Sequence, residues 1–167
     1  MRTDPITAEE ARQLFHYDPE TGDLTWKVSP CNRAPVGRVV RAPNDKGYYT
    51  VMVRGKTYKA HRLIWLIATG TWPAEHIDHI NGDKTDNRVE NLREATNAEN
   101  MQNRAAPRNN TSGYKGVSWH KRDRKWRAKI QVDGKRRYLG HFDTPEEAHA
   151  AYCEAAREHH GEFANFG

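Results

Sequence analysis

HIDHINGDKTDNRVENLREATNAEN, residues 76–100, is the stretch on which the reading of this sequence turns. Two histidines and two aspartates (His76, Asp78, His79, Asp83) fall within eight positions, around the hairpin dipeptide Asn81-Gly82. Asn91 follows His79 by twelve residues, and Asn100 follows Asp78 by twenty-two. Three readings stand open on the residues alone: a metal site, a catalytic base, or a polar turn in which Asp83, Asp86 and Asn87 are merely solvated. In a strand, Asp78 and His79 project to opposite faces. Thr96 precedes Glu99 by three residues, a reciprocal capping box, so Asn100 stands one turn into a rigid helix.

The same box occurs at Thr7/Glu10 and Thr144/Glu147, the latter with Pro145 at the first helical position. Asp18 to Gly22 reads as a turn before the strand LTWKV (24–28). GYYTVMV (47–53) and KTYKA (56–60) read as a hairpin closed by Arg54-Gly55. HRLIWLIAT (61–69) is expected to be helical, burying Leu63, Ile64, Ile67 and Ala68. Residues 103–113 lack apolar bulk and carry Pro, Asn, Ser and Gly, which marks a linker. Beyond it the period becomes two: in WRAKIQV (126–132) Trp126, Ala128, Ile130 and Val132 face one way, Arg127, Lys129 and Gln131 the other. YKGVSWHK (114–121) and RRYLGHF (136–142) are expected as flanking strands. The last helix carries Ala148, Ala151, Tyr152, Ala155 and Ala156 on one stripe. The expected fold class is α+β: N-terminal strands and a two-strand, one-helix unit at about 76–102 within a domain 1–102, a linker 103–111, and a domain 112–167 with a three-stranded antiparallel sheet packed on one helix.

The net charge is +5, and its placement is uneven. Residues 1–100 balance, whereas 115–137 carry ten Lys and Arg against two Asp, and 143–162 carry one Arg against six acids. A basic stripe before an acidic helix gives a small domain one cationic face, the footprint of a polyanion partner. No apolar run reaches membrane length, and the polar start at 1–4 leads into no signal-peptide core. Cys31 and Cys153 are too few and too far apart for a cysteine zinc site and are read as free thiols.

HRLIW (61–65), HIDHINGDKTDNRVENLREAT (76–96) and NAEN (97–100) together resemble the HNH nuclease family, in its phage and intron-homing branch, where asparagine replaces the last histidine. The resemblance spans roughly residues 45–105. It implies two antiparallel strands and a helix gripping one metal ion, with Asp78 and Asn100 as ligands and His79 as general base. It gives Asn91 two duties, holding the hairpin loop and orienting His79. One carboxylate and one amide oxygen suit Mg²⁺ or Mn²⁺, which keep waters and share substrate oxygens, rather than a closed zinc site. His61 heads a helix and has two readings, a phosphate or supporting contact and plain packing. His76 is read as structural.

GYKGVSW (113–119), KWRAKI (125–130), RYLGHFDTPEEAHAAYCEAA (137–156) and GEFANF (161–166) resemble a second family, the APETALA/ethylene-response-factor DNA-binding domain. That family lays its sheet in the major groove. By position, Lys115, Lys129, Gln131, Arg136 and Tyr138 would face the groove, and Arg127 shares their face by alternation. Ser118 and His120 stand where the plant domains usually carry arginine, as does Gln131, so a GC-rich target is not carried over.

The expected activity is thus metal-dependent hydrolysis of DNA phosphodiesters, by nicking or double-strand cleavage, on duplex DNA docked by the basic sheet. The chain is expected to act as a monomer, away from membranes, in the cytoplasm of a bacterial host if it is of phage or prophage origin. The rival expectation is a DNA-binding transcriptional regulator with no catalysis, its HNH-like half purely structural.

Overall fold

The computed structural model describes residues 5–31, 34–104, 106 and 109–167. Residues 1–4, and positions 105, 107 and 108 of the expected linker, lie outside the described residues. Met1–Ala95 and Thr96–Gly167 form two compact units.

In the first unit Thr7 caps α1 (Ala8–Leu14) through the reciprocal box with Glu10. A short antiparallel pair follows, β1 (Phe15–Tyr17) on β2 (Leu24–Trp26), with Phe15 opposite Trp26 and their rings 4.3 Å apart. A three-stranded antiparallel sheet contains β3 (Ala42–Pro43), β4 (Tyr49–Val53) and β5 (Lys56–Lys59) in that order. The chain then enters α2 (Ala60–Thr69) directly from β5. Its core contacts are Ala60, Leu63, Ile64 and Leu66; Ala68, expected inside, is exposed, and Ile67 is half-buried. The last turn runs past the core, where Arg12 Nε and Nη2 donate to the Ile67 carbonyl at 3.0 and 2.6 Å. Burial of Phe15, Leu24, Leu63, Ile64 and Leu66 supplies the main apolar stabilisation of this unit.

That core supports a second antiparallel pair, β6 (His76–His79) on β7 (Leu92–Ala95). The register sets Asp78 opposite Arg93 and His79 opposite Leu92. Ile77 and Leu92 belong to the core, so His79 projects inward and Asp78 to the other face. Between the strands, the 80–91 loop is pressed on by the 18–22 turn. Gly22 sits at φ +76°, and a Cβ there would fall 2.6 Å from the Arg88 nitrogen and 2.8 Å from the Asn87 carbonyl carbon. Only glycine permits this approach. Tyr17 Oη accepts from the Val89 amide at 2.8 Å, fixing the same loop from β1.

The second unit begins with α3 (Asn97–Gln102), capped by Thr96 through the box with Glu99. Its antiparallel sheet has β9 (Lys125–Val132) at the centre, flanked by β8 (Val117–His120) and β10 (Lys135–Phe142). Ala128, Ile130 and Val132 are buried against α4 (Pro145–His160), which presents Ala148, Tyr152, Ala155 and Ala156. The small residues permit close packing: a Cβ on Gly116 would meet the Tyr152 ring. The alternation in WRAKIQV therefore separates core from surface as the period-two pattern predicts, and the architecture is α+β. Among the described residues no helix is long and apolar enough to cross a membrane.

Candidate active site and nucleic-acid face

His79 is only 3% exposed, and its Nε2 lies 3.1 Å from Asn87 Oδ1. An amide oxygen accepts, so the ring proton belongs on Nε2 and the lone pair on Nδ1. Burial pushes the His79 ring below its usual imidazole value, against the opposing Asn87 hydrogen bond and the charges of Asp78, Asp83 and Asp86. The ring is therefore a neutral base at pH 7. His61, at the start of α2, is 2% exposed and meets it edge-on, with centroids 5.1 Å apart and planes at 89°. Burial takes His61 down to about 3, helped by the neighbouring His79 and Lys59 charges.

Tyr48 closes this group, 5.1 Å from the His61 ring and 6.0 Å from that of His79. Lys59 and Lys84 hold their ammoniums 4.5 and 4.9 Å from the Tyr48 centroid. Lys84 Nζ also donates to the Lys46 carbonyl at 2.9 Å. Burial lowers the Lys59 pKa, and the charges of Arg62, Lys46 and Lys84 add to the effect. The result is a neutral imidazole pair edged by cations, a field that attracts phosphate.

Asn91 is bonded within the hairpin loop, the first of its two expected places. Its Oδ1 accepts from the Asn81 amide at 3.0 Å, and its Nδ2 donates to Asn81 Oδ1 at 3.0 Å and to the Asp86 carbonyl at 2.8 Å. Those bonds hold the loop, and the side chain bonded to the His79 ring nitrogen is that of Asn87. The polar-turn reading expects Asn87 in solvent; it is 2% exposed. Asp86 bonds Arg88 and Asn81, and the Arg88 guanidinium holds its carboxyl down to about 2. His76 lies exposed at the start of β6.

Asp78 is 5% exposed, with Oδ2 accepting from Arg93 Nε at 3.1 Å and Nη2 at 2.9 Å. The guanidinium compensates a carboxylate that burial alone would make costly. Asn100 stands on α3, in the second unit, its amide bonded to the Thr96 carbonyl at 3.0 Å. A carboxylate and an amide oxygen are each ligand types that a hard, oxygen-seeking divalent ion takes.

The buried neutral histidine makes a measurable prediction. The folded pKa of His61 lies below that of the unfolded chain, so the unfolded state binds the extra proton. Stability linked to His61 is complete above about pH 6.5 and is lost as pH falls toward about 3. Urea unfolding should lose about 1.4 kcal/mol per pH unit over that window. His61→Phe should flatten the slope; an unchanged slope in that variant would place the linkage elsewhere.

In the second unit, the sheet face away from α4 carries Arg127, Lys129 and Gln131 on β9, with Arg136 opposite Gln131 and Tyr138 opposite Lys129. Tyr138 is 55% exposed. Lys115 is not on this face. Its ammonium donates to the Gln102 carbonyl at 2.8 Å and sits 6.0 Å from the Tyr152 ring, on the helix side. The last carbonyls of a short helix attract a cation, and burial lowers the Lys115 pKa to about 8. Trp119 and Trp126 meet edge to face at 5.1 Å, and Trp126 packs against the Val117, Ala128 and Ala148 core. Both cysteines are free.

Comparison with known proteins agrees with these two halves. The HNH endonuclease family matches residues 58–102, and the AP2 domain matches residues 112–162. Protein 3.8 of Escherichia phage T7 is 38% identical over 112 residues, covering 66% of this chain and 92% of that protein. APETALA2-like protein 2 of Oryza sativa is 41% identical over 58 residues, covering 35% of this chain and 13% of that protein. The solved structure described as DNA binding and cleavage by the HNH homing endonuclease I-HmuI aligns over 92% of this chain and 83% of its own, at 18% identity and a TM-score of 0.41. This chain belongs to the HNH endonuclease family, carries an AP2 domain after its HNH unit, and is a relative of phage T7 Protein 3.8.

Proposed function

We propose that this protein is a divalent-metal-dependent DNA endonuclease that hydrolyses phosphodiester bonds in duplex DNA held by its AP2 sheet. The observation that carries the reading is the buried, neutral His79, its tautomer set by Asn87, beside His61 and beside Tyr48, whose ring carries the ammoniums of Lys59 and Lys84. Water attacking the phosphorus gives up a proton to the His79 lone pair. Asn87 keeps the ring aimed as it becomes charged. Lys59 and Lys84 offset the phosphate charge and draw the strand toward the base. Asp78 and Asn100, both within the segment matched to the HNH family, are the proposed ligands of one Mg²⁺ or Mn²⁺. Such an ion, when bound, supplies Lewis-acid stabilisation of the phosphate and of the leaving 3′-oxygen. Arg93 holds the Asp78 carboxylate on the face of β6 away from the base, so the two groups address the phosphate from different directions.

Supercoiled plasmid is the test. Nicked or linear product is expected with Mg²⁺ or Mn²⁺, none after chelation, and little in Asp78→Ala or Asn100→Ala. Full cleavage by both variants would remove the ligand assignment. Plasmid left intact by the wild-type protein with either ion, but retarded on a gel, would favour the non-catalytic DNA-binding protein.

A further inference from the structure

A second cluster of ligand-type side chains lies in the AP2 unit. His120 is the last residue of β8, His141 the penultimate residue of β10, and Asp123 sits in the four-residue turn leading to β9. Asp123 Oδ2 lies 3.2 Å from the Nδ1 atoms of both His120 and His141. One ligand atom from each of the three lies within 4.8 Å of the others. The rings are 4.9 Å apart and inclined at 31°. In register, His120 is opposite Lys125 and His141 opposite Arg127, so both rings stand on the sheet face away from α4. Arg124, next in the turn, takes the left-handed conformation at φ +50°, which a non-glycine residue adopts only when its surroundings over-determine it.

We propose that His120, Asp123 and His141 form a transition-metal site of the zinc class, with His120 Nδ1, His141 Nδ1 and an Asp123 carboxylate oxygen as the three ligands. Two observations carry it. The first is geometric. Around a tetrahedral ion with bonds of about 2.0 Å, neighbouring ligand atoms are roughly 3.3 Å apart, and both nitrogen-to-oxygen separations are 3.2 Å. The second is polar accounting. His120 Nδ1 is cut off from solvent yet has no hydrogen-bond partner among the described residues, despite its nearness to Asp123. A buried ring nitrogen with no aligned hydrogen bond is destabilising, and a metal bond removes that cost.

The donor set separates this site from the one proposed at Asp78 and Asn100. Two imidazoles and a carboxylate select zinc, cobalt or nickel, whereas two oxygens select magnesium or manganese. Three protein ligands leave a fourth position for water. The ion would clamp the β8–β9 turn to β10, whose strand pairs with β9 and not with β8, and would add positive charge to the basic face. The proposal does not depend on the nuclease reading.

The test uses the full chain with excess Mg²⁺ present, titrated with Co²⁺ and followed by visible absorption. One equivalent should generate d–d bands that one equivalent of Zn²⁺ abolishes. His120→Gln and His141→Gln should each lose the bands while keeping the wild-type far-UV circular dichroism, and Asp78→Ala should retain them. No bands in the wild-type protein would mean an Asp123–histidine ion pair only and would overturn the site. So would bands that persist in folded His120→Gln and His141→Gln, or that vanish in Asp78→Ala. If the glutamine variants do not fold, ring ¹⁵N shifts of wild-type His120 and His141 decide the matter: they must move with Zn²⁺, and resonances that stay put sink the proposal.

Discussion

His79→Ala is expected to slow DNA cleavage by about 10²–10⁴-fold, the range a positioned general base contributes, with affinity for duplex DNA unchanged. The separation follows from where the groups lie. His79 is buried in the first unit, whereas the basic sheet is in the second, so the deletion removes proton transfer without touching the docking face. The wild-type acid limb should also lie lower than an ordinary histidine would give, because burial disfavours the charged ring. As pH falls, activity should be lost only when the buried ring is finally protonated. Asn87→Ala should lower the plateau rate by less than His79→Ala and move the acid limb further down, since the lost hydrogen bond favours the charged form. The measurement is kcat/KM against pH for the three proteins. Cleavage by His79→Ala at the wild-type rate, or an acid limb at or above the usual imidazole range, would sink the assignment.

How much of this was readable without coordinates depends on the range of each interaction. The three Thr–Glu capping boxes are local, and each one formed. The alternation in WRAKIQV is also local and separates core from surface correctly. Asp78 and His79 on opposite faces follow from the strand period alone. Asn87 was beyond reach. Its burial depends on Gly22, Tyr17 and the turn between them, which press on the loop from positions 65 or more residues earlier in the chain. Nothing about an asparagine eight residues after a histidine marks it out beside Asn91, which has the family spacing. Lys59 and Lys84 were missed for a related reason: they meet through Tyr48, and no pattern in the sequence joins the three. Lys115 erred the other way. Its place in the AP2 pattern suggests a groove contact, but its ammonium found helix carbonyl and aromatic ring on the opposite side.

That displacement makes the docking face testable by contrast. Replacing Arg127, Lys129 and Arg136 together with glutamine should weaken binding of duplex DNA about a hundredfold near physiological salt, at roughly 1 kcal/mol for each lost contact. The plot of log K against log salt should become shallower by about 2.7, because each neutralised phosphate contributes close to 0.9 to the slope. Lys115→Gln removes the same formal charge from the same unit, yet its ammonium is half-buried on the helix side and should leave the slope as it was. Fluorescence anisotropy at four or five salt concentrations gives both numbers, with thermal melting to confirm that the Lys115 variant keeps its fold. If only the sheet variants flatten the slope, counterions are released from the face of β9 and β10. If Lys115→Gln flattens it equally, the charge that matters is spread over the unit, and the sheet has no privileged part in docking DNA.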